Sequence, residues 1–252
     1  MDIVLVYLSI TLVLLLSAII KGVSGFGTSL IAIPALIALG VMGPAEARAL
    51  IVSINLVLNA IILASARQLT YAHAKPYMLL IASVFVAALL AGFLLPRVTA
   101  TIFHVLMGGL LILTALNRFF DIRFTIVHPK RYYVPLGLVG GTLNTLIGAG
   151  SVPVLIFLAN SETKKAEFRV TVSLFLLILN AGSLISFLLA GTYASDIALL
   201  GIAFAPVMII GTFLGIRFQH RVNERVFKKL VAVLLFFIGV NGILNLFFNH
   251  MG

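Results

Sequence analysis

Long uncharged stretches constrain this chain more than any other feature of its sequence. Between the charged residues lie nine uncharged segments of 18 to 30 residues: 3–20, 22–45, 49–66, 76–96, 98–117, 132–161, 170–195, 197–216 and 230–252. An α-helix rises about 1.5 Å per residue, so about 20 residues cross about 30 Å of hydrocarbon. Seven of the segments each fit one crossing. The pattern predicts an all-α polytopic membrane protein.

Composition excludes the main alternatives to a membrane protein. Hydrophobic residues make up 62% of the 252 and charged residues 10%, whereas soluble domains hold about 45–50% and about 25%. A soluble enzyme is therefore excluded, and so is disorder, which needs low hydrophobicity. Because the chain has no cysteine, it has no disulfide and no thiolate metal ligand. We expect no metal and no cofactor.

Two segments, 22–45 and 132–161, do not fit a single continuous helix. Both are dense in glycine and proline, and such density breaks helices. The longer one reads as a helix over 132–147, a break at Gly148–Ser151 and a short helix over 152–160. The chain then has about eight transmembrane helices plus two broken or re-entrant segments, ten segments in all.

The distribution of positive charge predicts the orientation, because Lys and Arg gather on the cytoplasmic side of membrane proteins. With the N-terminus outside and 132–161 entering and leaving at the inner face, 15 of the 17 Lys and Arg residues lie inside. Only Arg48 and Arg97 lie outside. We therefore expect both termini to be extracytoplasmic. The net charge of +10 reflects this orientation and does not indicate a nucleic-acid partner.

The two halves of the chain resemble each other. At an offset of 123, Gly25, Gly27 and Thr28 match Gly148, Gly150 and Ser151; further matches in the same order include Arg48 with Arg169 and Asn59 with Asn180. We assign a first repeat to 1–120, a cytoplasmic linker to 121–131 and a second repeat to 132–252. Each repeat has five segments, an odd number, so the two repeats are inverted.

Inverted repeats with paired broken segments are typical of secondary transporters, whose sites lie near the midplane at the repeat interface. A helix that begins after each glycine group would direct N–H groups and a positive dipole end at an anion. Close packing of helices through small residues is the alternative explanation. The predicted substrate-binding residues are Lys21, Ser24, Gly25, Gly27, Thr28, Asn59, Asn144, Thr145, Gly148, Gly150, Ser151 and Asn180.

These two breaks resemble the signatures of a known family. Gly22-Val-Ser-Gly-Phe-Gly-Thr-Ser-Leu-Ile-Ala-Ile-Pro34 is similar to the first signature of the TauE/SafE sulfite exporter family, and Gly141-Thr-Leu-Asn-Thr-Leu-Ile-Gly-Ala-Gly-Ser-Val-Pro153 to the second. The resemblance spans nearly the whole chain. It implies a transporter of a small anion, such as sulfite or a sulfonate, across the plasma (inner) membrane.

Several polar residues leave alternatives open. Asn59 and Asn180 either line the site or bond neighbouring helices. Arg48 and Arg169 either gate or attract anions, or extend to the interface. Lys21 borders the first break and suits an anionic substrate, although an ordinary inner-face lysine explains it equally well.

Two other functions compete with a secondary transporter. An anion channel would share its features. An intramembrane serine protease of the rhomboid type would use Ser24, in a Gly-x-Ser-Gly motif, with His73 as the base. No Asp or Glu lies deep in a predicted segment, which argues against a carboxylate-coupled cation transporter. The expected partners are a small anionic solute and the lipid bilayer. A proton is a candidate coupling ion, and the sequence leaves the oligomeric state open.

Overall fold

A computed structural model of the protein describes residues 3–24, 27–65, 75–120, 129–159, 165–218, 221 and 224–249. Within these residues the chain forms ten α-helices and no strand. The helices are α1 (Ile3–Ser24), α2 (Thr28–Ala38), α3 (Pro44–Ser65), α4 (Met78–Ala91), α5 (Ala100–Phe119), α6 (Tyr133–Ile147), α7 (Ser151–Ala159), α8 (Lys165–Leu189), α9 (Ser195–Phe218) and α10 (Glu224–Asn249). Three short 3-10 segments, Lys75–Tyr77, Gly92–Arg97 and Pro129–Tyr132, adjoin α4 and α6.

The described helices are long and apolar in the way that membrane crossing requires. By length and composition, six of them contain a stretch that could span a bilayer: Val4–Val23, Pro44–Ile61, Lys75–Arg97, Ala100–Phe119, Thr171–Leu189 and Ser195–Phe218. Large apolar side chains such as Leu113, Ile202 and Phe237 are about two-thirds exposed, as lipid contact would favour. The predicted all-α polytopic membrane fold is confirmed.

Some helices extend past the charged residues that separate the uncharged segments of the sequence. Helix α1 continues through Lys21 to Ser24, and α3 begins at Pro44, four residues before Arg48. The start of α3 is capped, since the Gly43 N–H donates to Glu46 Oε2 over 3.0 Å, as in the reciprocal half of a capping box. Lys21 and Arg48 are thus helical residues rather than loop residues.

Both breaks contain a glycine in the left-handed region, a conformation that costs other residues energy. Gly27 precedes α2 with φ 106°, and Gly148 follows α6 with φ 74°. The Gly148 N–H closes the end of α6 by donating to the Asn144 carbonyl over 2.7 Å. However, Gly137, Gly140 and Gly141 do not break α6, because they lie inside it.

The chain divides into two compact units that do not follow its two halves. Unit 1 comprises Met1–Ile51, Val98–Ile122 and Leu200–Gly252; unit 2 comprises Val52–Arg97 and Arg123–Leu199. Each unit therefore combines helices from both halves of the sequence. Two repeats of a sequence need not fold as two separate compact units. The division into repeats at 1–120 and 132–252 therefore stays a prediction.

In unit 1, α1 and α9 approach each other through glycine. A Cβ added to Gly22 would collide with the Thr212 carbonyl and lie 2.7 Å from the Gly215 Cα. Gly211 meets the same helix one turn away, because its Cβ would lie 2.7 Å from the Ala18 Cβ. The two helix backbones are too close for any side chain at Gly22.

In unit 2, α4 and α6 approach in a comparable way. A Cβ added to Gly141 would collide with the Val84 carbonyl and lie 2.7 Å from the Ala87 Cβ. One turn earlier, Gly137 faces Ser83, whose Oγ lies within hydrogen-bond distance of two carbonyls, that of Leu80 at 2.9 Å and that of Tyr133 at 3.3 Å. In both units, a glycine in the first helix of one half meets the fourth helix of the other half.

Candidate functional site

The first break ends at a buried threonine whose hydroxyl has no hydrogen bond within the part of the chain that the structure describes. Thr28 is the first residue of α2, and its side chain is 3% exposed. Among the described residues, no hydrogen-bond partner is present for Thr28 Oγ1. Gly27, at the N-cap, has no side chain that could cap the helix. Gly25 and the Ser24 side chain, also predicted for this site, lie outside the described residues.

Unit 1 also contains two buried cationic residues. Lys21, in the last turn of α1, is 6% exposed, and Arg48, in the second turn of α3, is 5% exposed. Among residues whose burial the structure describes, these are the only buried charged side chains, and both are basic. Ionisable residues inside membrane helices are costly and usually mark a functional path. The predicted roles of Lys21 in substrate binding and of Arg48 in gating or attracting anions stay predictions.

The second break is held by a cluster of hydrogen bonds in unit 2. The Asn144 amide donates to Ser183 Oγ over 2.9 Å, and the hydroxyls of Thr145 and Ser183 lie 3.0 Å apart. Thr145 Oγ1 and Ser186 Oγ both lie within hydrogen-bond distance of the Ala88 carbonyl, at 3.0 and 2.6 Å. These bonds join α6 to α4 and α8, so Asn144 and Thr145 have a structural role. Their role in substrate binding stays a prediction.

The glycines of the second break are not equivalent to one another. Gly148 supplies the left-handed turn, whereas Gly150 lies against α6, where an added Cβ would collide with the Gly140 carbonyl and the Asn144 backbone. Ser151 begins α7 and is partly exposed. Gly150 therefore closes the α6–α7 turn, which leaves Ser151 as the polar side chain at the start of α7.

The other predicted residues are distributed over unit 2. Asn59 and Asn180 are 2% and 4% exposed, and the Asn180 amide donates to the Leu176 carbonyl in its own helix over 2.6 Å. Arg169 belongs to α8, but its side chain lies outside the described residues. His73, which the protease alternative requires, also lies outside them.

Two further buried hydroxyls were not predicted from the sequence. Thr171 and Thr212 are 2% and 6% exposed, and neither Oγ1 has a hydrogen-bond partner among the described residues. A helical threonine usually donates to a carbonyl one turn earlier, as Thr114 does to Leu110 over 2.7 Å. The sequence does not distinguish Thr171 and Thr212 from Thr114, because the hydrogen bonding of a helical threonine depends on its rotamer and on the neighbouring helices. Thr212 shares unit 1 with Thr28.

No curated protein matches the chain, and no solved structure matches it. The family model described as "Sulfite exporter TauE/SafE" matches residues 10–242, which include both breaks and every residue predicted for the site. Because that match covers nearly the whole chain, the glycine-broken helix pairs described above belong to a member of the sulfite exporter TauE/SafE family, a family of membrane transporters.

Proposed function

We propose that this protein is a secondary transporter for a small sulfur-containing oxyanion, and that the first break contacts the anion. The observation that carries this proposal is the buried Thr28 hydroxyl at the start of α2, which has no partner among the described residues. A buried hydroxyl without a hydrogen bond costs free energy. A substrate oxygen that accepts from Thr28 would recover that energy each time it binds.

The chemistry of the first break suits an anion in three ways. The Thr28 hydroxyl can donate one hydrogen bond, and a donor to a charged acceptor contributes about 1.5–3 kcal/mol. The N-terminus of α2 contributes N–H groups and the positive end of the helix dipole. Lys21, buried in the last turn of α1 before the break, adds a positive charge in the same unit. We propose that Lys21 and Thr28 together provide the selectivity for an anion.

We propose that the second break contributes less to binding and more to the architecture. Asn144 and Thr145 already bond to Ser183, and Thr145 to the Ala88 carbonyl. Ser151 is the residue of this break that we retain as a proposed substrate contact. Inverted repeats and alternating access, as the sequence predicts, remain part of the proposal, and the matched glycine crossings in the two units support them.

The substitution Thr28→Val tests the site, since valine keeps the shape and removes only the hydroxyl. No hydrogen bond within the described residues is lost, so we expect the stability in detergent to be unchanged. For a transported anion, we expect the apparent affinity to fall by about tenfold or more, as the loss of one charged hydrogen bond implies. The measurement is concentration-dependent uptake of sulfite, sulfate and an organosulfonate into proteoliposomes.

Thr114→Val is the matched control, because Thr114 is equally buried but donates to its own helix. We expect this variant to keep the wild-type apparent affinity. Equal affinity in Thr28→Val and wild type would contradict the proposed site. Failure to transport any anion of the panel would contradict the proposed function itself.

The same vesicles distinguish a transporter from a channel and identify the coupling ion. A transporter driven by a proton gradient accumulates substrate against its own gradient when the inside and outside pH differ. It also exchanges labelled for unlabelled anion without net flux. Flux that only follows the anion gradient would favour a channel and would overturn alternating access.

A further inference from the structure

A basic cavity of about 550 Å3 lies in unit 2 at the start of α4 and α6. It is lined by Lys75, Pro76, Met78, Leu79, Lys130 and Tyr133. Its two lysines come from separate 3-10 segments, one directly before α4 and the other directly before α6. The volume falls within the range of about 300–1,000 Å3 typical of small-ligand pockets. None of the residues proposed for transport lines this cavity.

The charge of the cavity selects for an anionic ligand. Both lysines are exposed, and none of the six lining residues is acidic. Each ammonium group offers three hydrogen-bond donors and acts as a compact positive charge toward phosphate. Two such groups from different segments line this one cavity.

The starts of α4 and α6, which line the cavity, are closely packed. The Tyr77 and Tyr133 rings lie 5.7 Å apart, and Tyr133 also packs edge-on against Phe157. Ser83 Oγ lies 3.3 Å from the Tyr133 carbonyl, and Gly137 brings the two helices together one turn further on. The lysines therefore extend from a fixed pair of helix starts rather than from a loose loop.

The surroundings of the cavity distinguish a lipid from a free anion. Met78, Leu79 and Tyr132 are 40%, 55% and 51% exposed, and Val134 and Leu138 continue the exposed apolar surface along α6. A free phosphate would gain nothing from this surface, whereas the acyl chains of a phospholipid would cover it. Tyrosines concentrate at the level of the lipid headgroups. The charge distribution predicts that Lys75 and Lys130 are at the inner face, where anionic lipids are found.

We propose that the basic cavity binds the headgroup of an anionic phospholipid from the inner leaflet, with the acyl chains lying along α6. Basic pockets between transmembrane helices on the cytoplasmic side bind anionic headgroups in this manner. The cavity and its surroundings support this lipid site, whichever anion the protein transports.

The absence of tryptophan in the sequence allows a direct test on the full chain. Leu138→Trp places a reporter at an exposed position of α6, between one and two turns after Tyr133, and Phe93→Trp places a control after the far end of α4. Each variant is reconstituted with brominated phosphatidylglycerol or brominated phosphatidylcholine, and the fluorescence quenching is measured. We expect phosphatidylglycerol to be favoured by at least about fivefold at the first position. At Phe93→Trp we expect no preference.

Substitutions of the lysines assign the preference to the cavity. In the Leu138→Trp background, Lys75→Gln and Lys130→Gln should each lower the preference by about fivefold. Replacing both lysines by arginine should preserve it. Lys229→Gln removes an exposed cation of unit 1 and should have no effect. Equal preference at both reporter positions would overturn the proposal, and so would a preference that survives when Lys75→Gln and Lys130→Gln are combined in one variant.

Competition separates a lipid site from a site for free anions. Inorganic phosphate and sulfite are added at constant ionic strength, with chloride as the reference. We expect neither to displace phosphatidylglycerol beyond the chloride reference. Displacement by phosphate or by sulfite would show that the cavity binds a free anion, and the lipid assignment would then be wrong.

Discussion

Single residues at the two breaks face opposite physical demands, although the sequence makes them look alike. Gly27 has φ 106°, a conformation that residues with a side chain disfavour, but no atom of the described residues lies within 4 Å of an added Cβ. Gly150 has no positive φ, but its Cβ would overlap the backbone of α6. Gly27 is therefore required by its backbone torsion angle, and Gly150 by the lack of space for a side chain.

These demands predict different results for the same substitution. Gly27→Ala should cost about 1–2 kcal/mol of local strain and leave a folded protein with impaired transport. Gly150→Ala should reduce the yield of folded protein, because the added methyl group would overlap backbone atoms, and only a shift of the helix backbone could make room for it. Size-exclusion profiles and SDS unfolding midpoints measure stability, and proteoliposome uptake measures transport. A well-folded Gly150→Ala variant would contradict the packing described for α6 and α7.

At the scale of elements, helix pairs are positioned by backbone contact at glycine. Gly22 in α1 meets α9, and Gly141 in α6 meets α4. Membrane helices gain little from apolar burial against each other, because lipid tails are equally apolar, so close packing at small residues provides the association energy. Gly109 in α5 offers a contrast, since a Cβ added there would have no neighbour within 4 Å in the described ranges of the chain.

Alanine substitution should separate the crossing glycines from the open one. Gly22→Ala and Gly141→Ala should each destabilise the protein by about 1–3 kcal/mol through overpacking. Gly109→Ala should stabilise it by up to about 1 kcal/mol, because alanine is the better helix former. Unfolding by SDS in mixed micelles measures all three. Similar midpoints for Gly141→Ala and Gly109→Ala would argue against the α4–α6 crossing.

Local chemistry made part of this architecture predictable. Left-handed glycines and apolar lengths are local properties, so the sequence predicts the two breaks and the helical membrane fold. The partner of Gly22 lies nearly two hundred residues away, and periodicity does not reveal it. Likewise, Thr28 could be selected from its place beside a glycine group, but whether its hydroxyl finds a partner among the described residues depends on neighbouring helices. Asn144 and Thr145 could be selected in the same way, yet their bonds to Ser183 and Ala88 are products of tertiary packing.

At the scale of the whole molecule, the positive charges predict the orientation in the bilayer. Fifteen of the 17 Lys and Arg residues are predicted for the inner side, and moving them across would violate the bias that orients membrane proteins. Two exposed positions can report this orientation. Phe120 follows α5 at the predicted inner face, and Ala194 lies in the turn between α8 and α9 at the predicted outer face.

Single cysteines at these positions test the orientation, because the chain contains no other cysteine. Ala194→Cys should react with a membrane-impermeant maleimide on intact cells. Phe120→Cys should react only after the membrane is permeabilised. The mass shift of the labelled protein measures both. The reverse pattern would show that the predicted orientation is inverted.

The segments of the two units alternate along the sequence, and this order has a consequence for biogenesis. A ribosome delivers all parts of unit 2 once Leu199 has been inserted, whereas unit 1 waits for the segment from Leu200 onward. Chains generally assemble in the order in which their parts emerge. Helices α1 and α2 are synthesised first, yet they must remain in the membrane without α9 until most of the chain has been translated. Helices α1 and α2 can contact each other early, but α1 meets α9, and α2 meets α10, only late in synthesis.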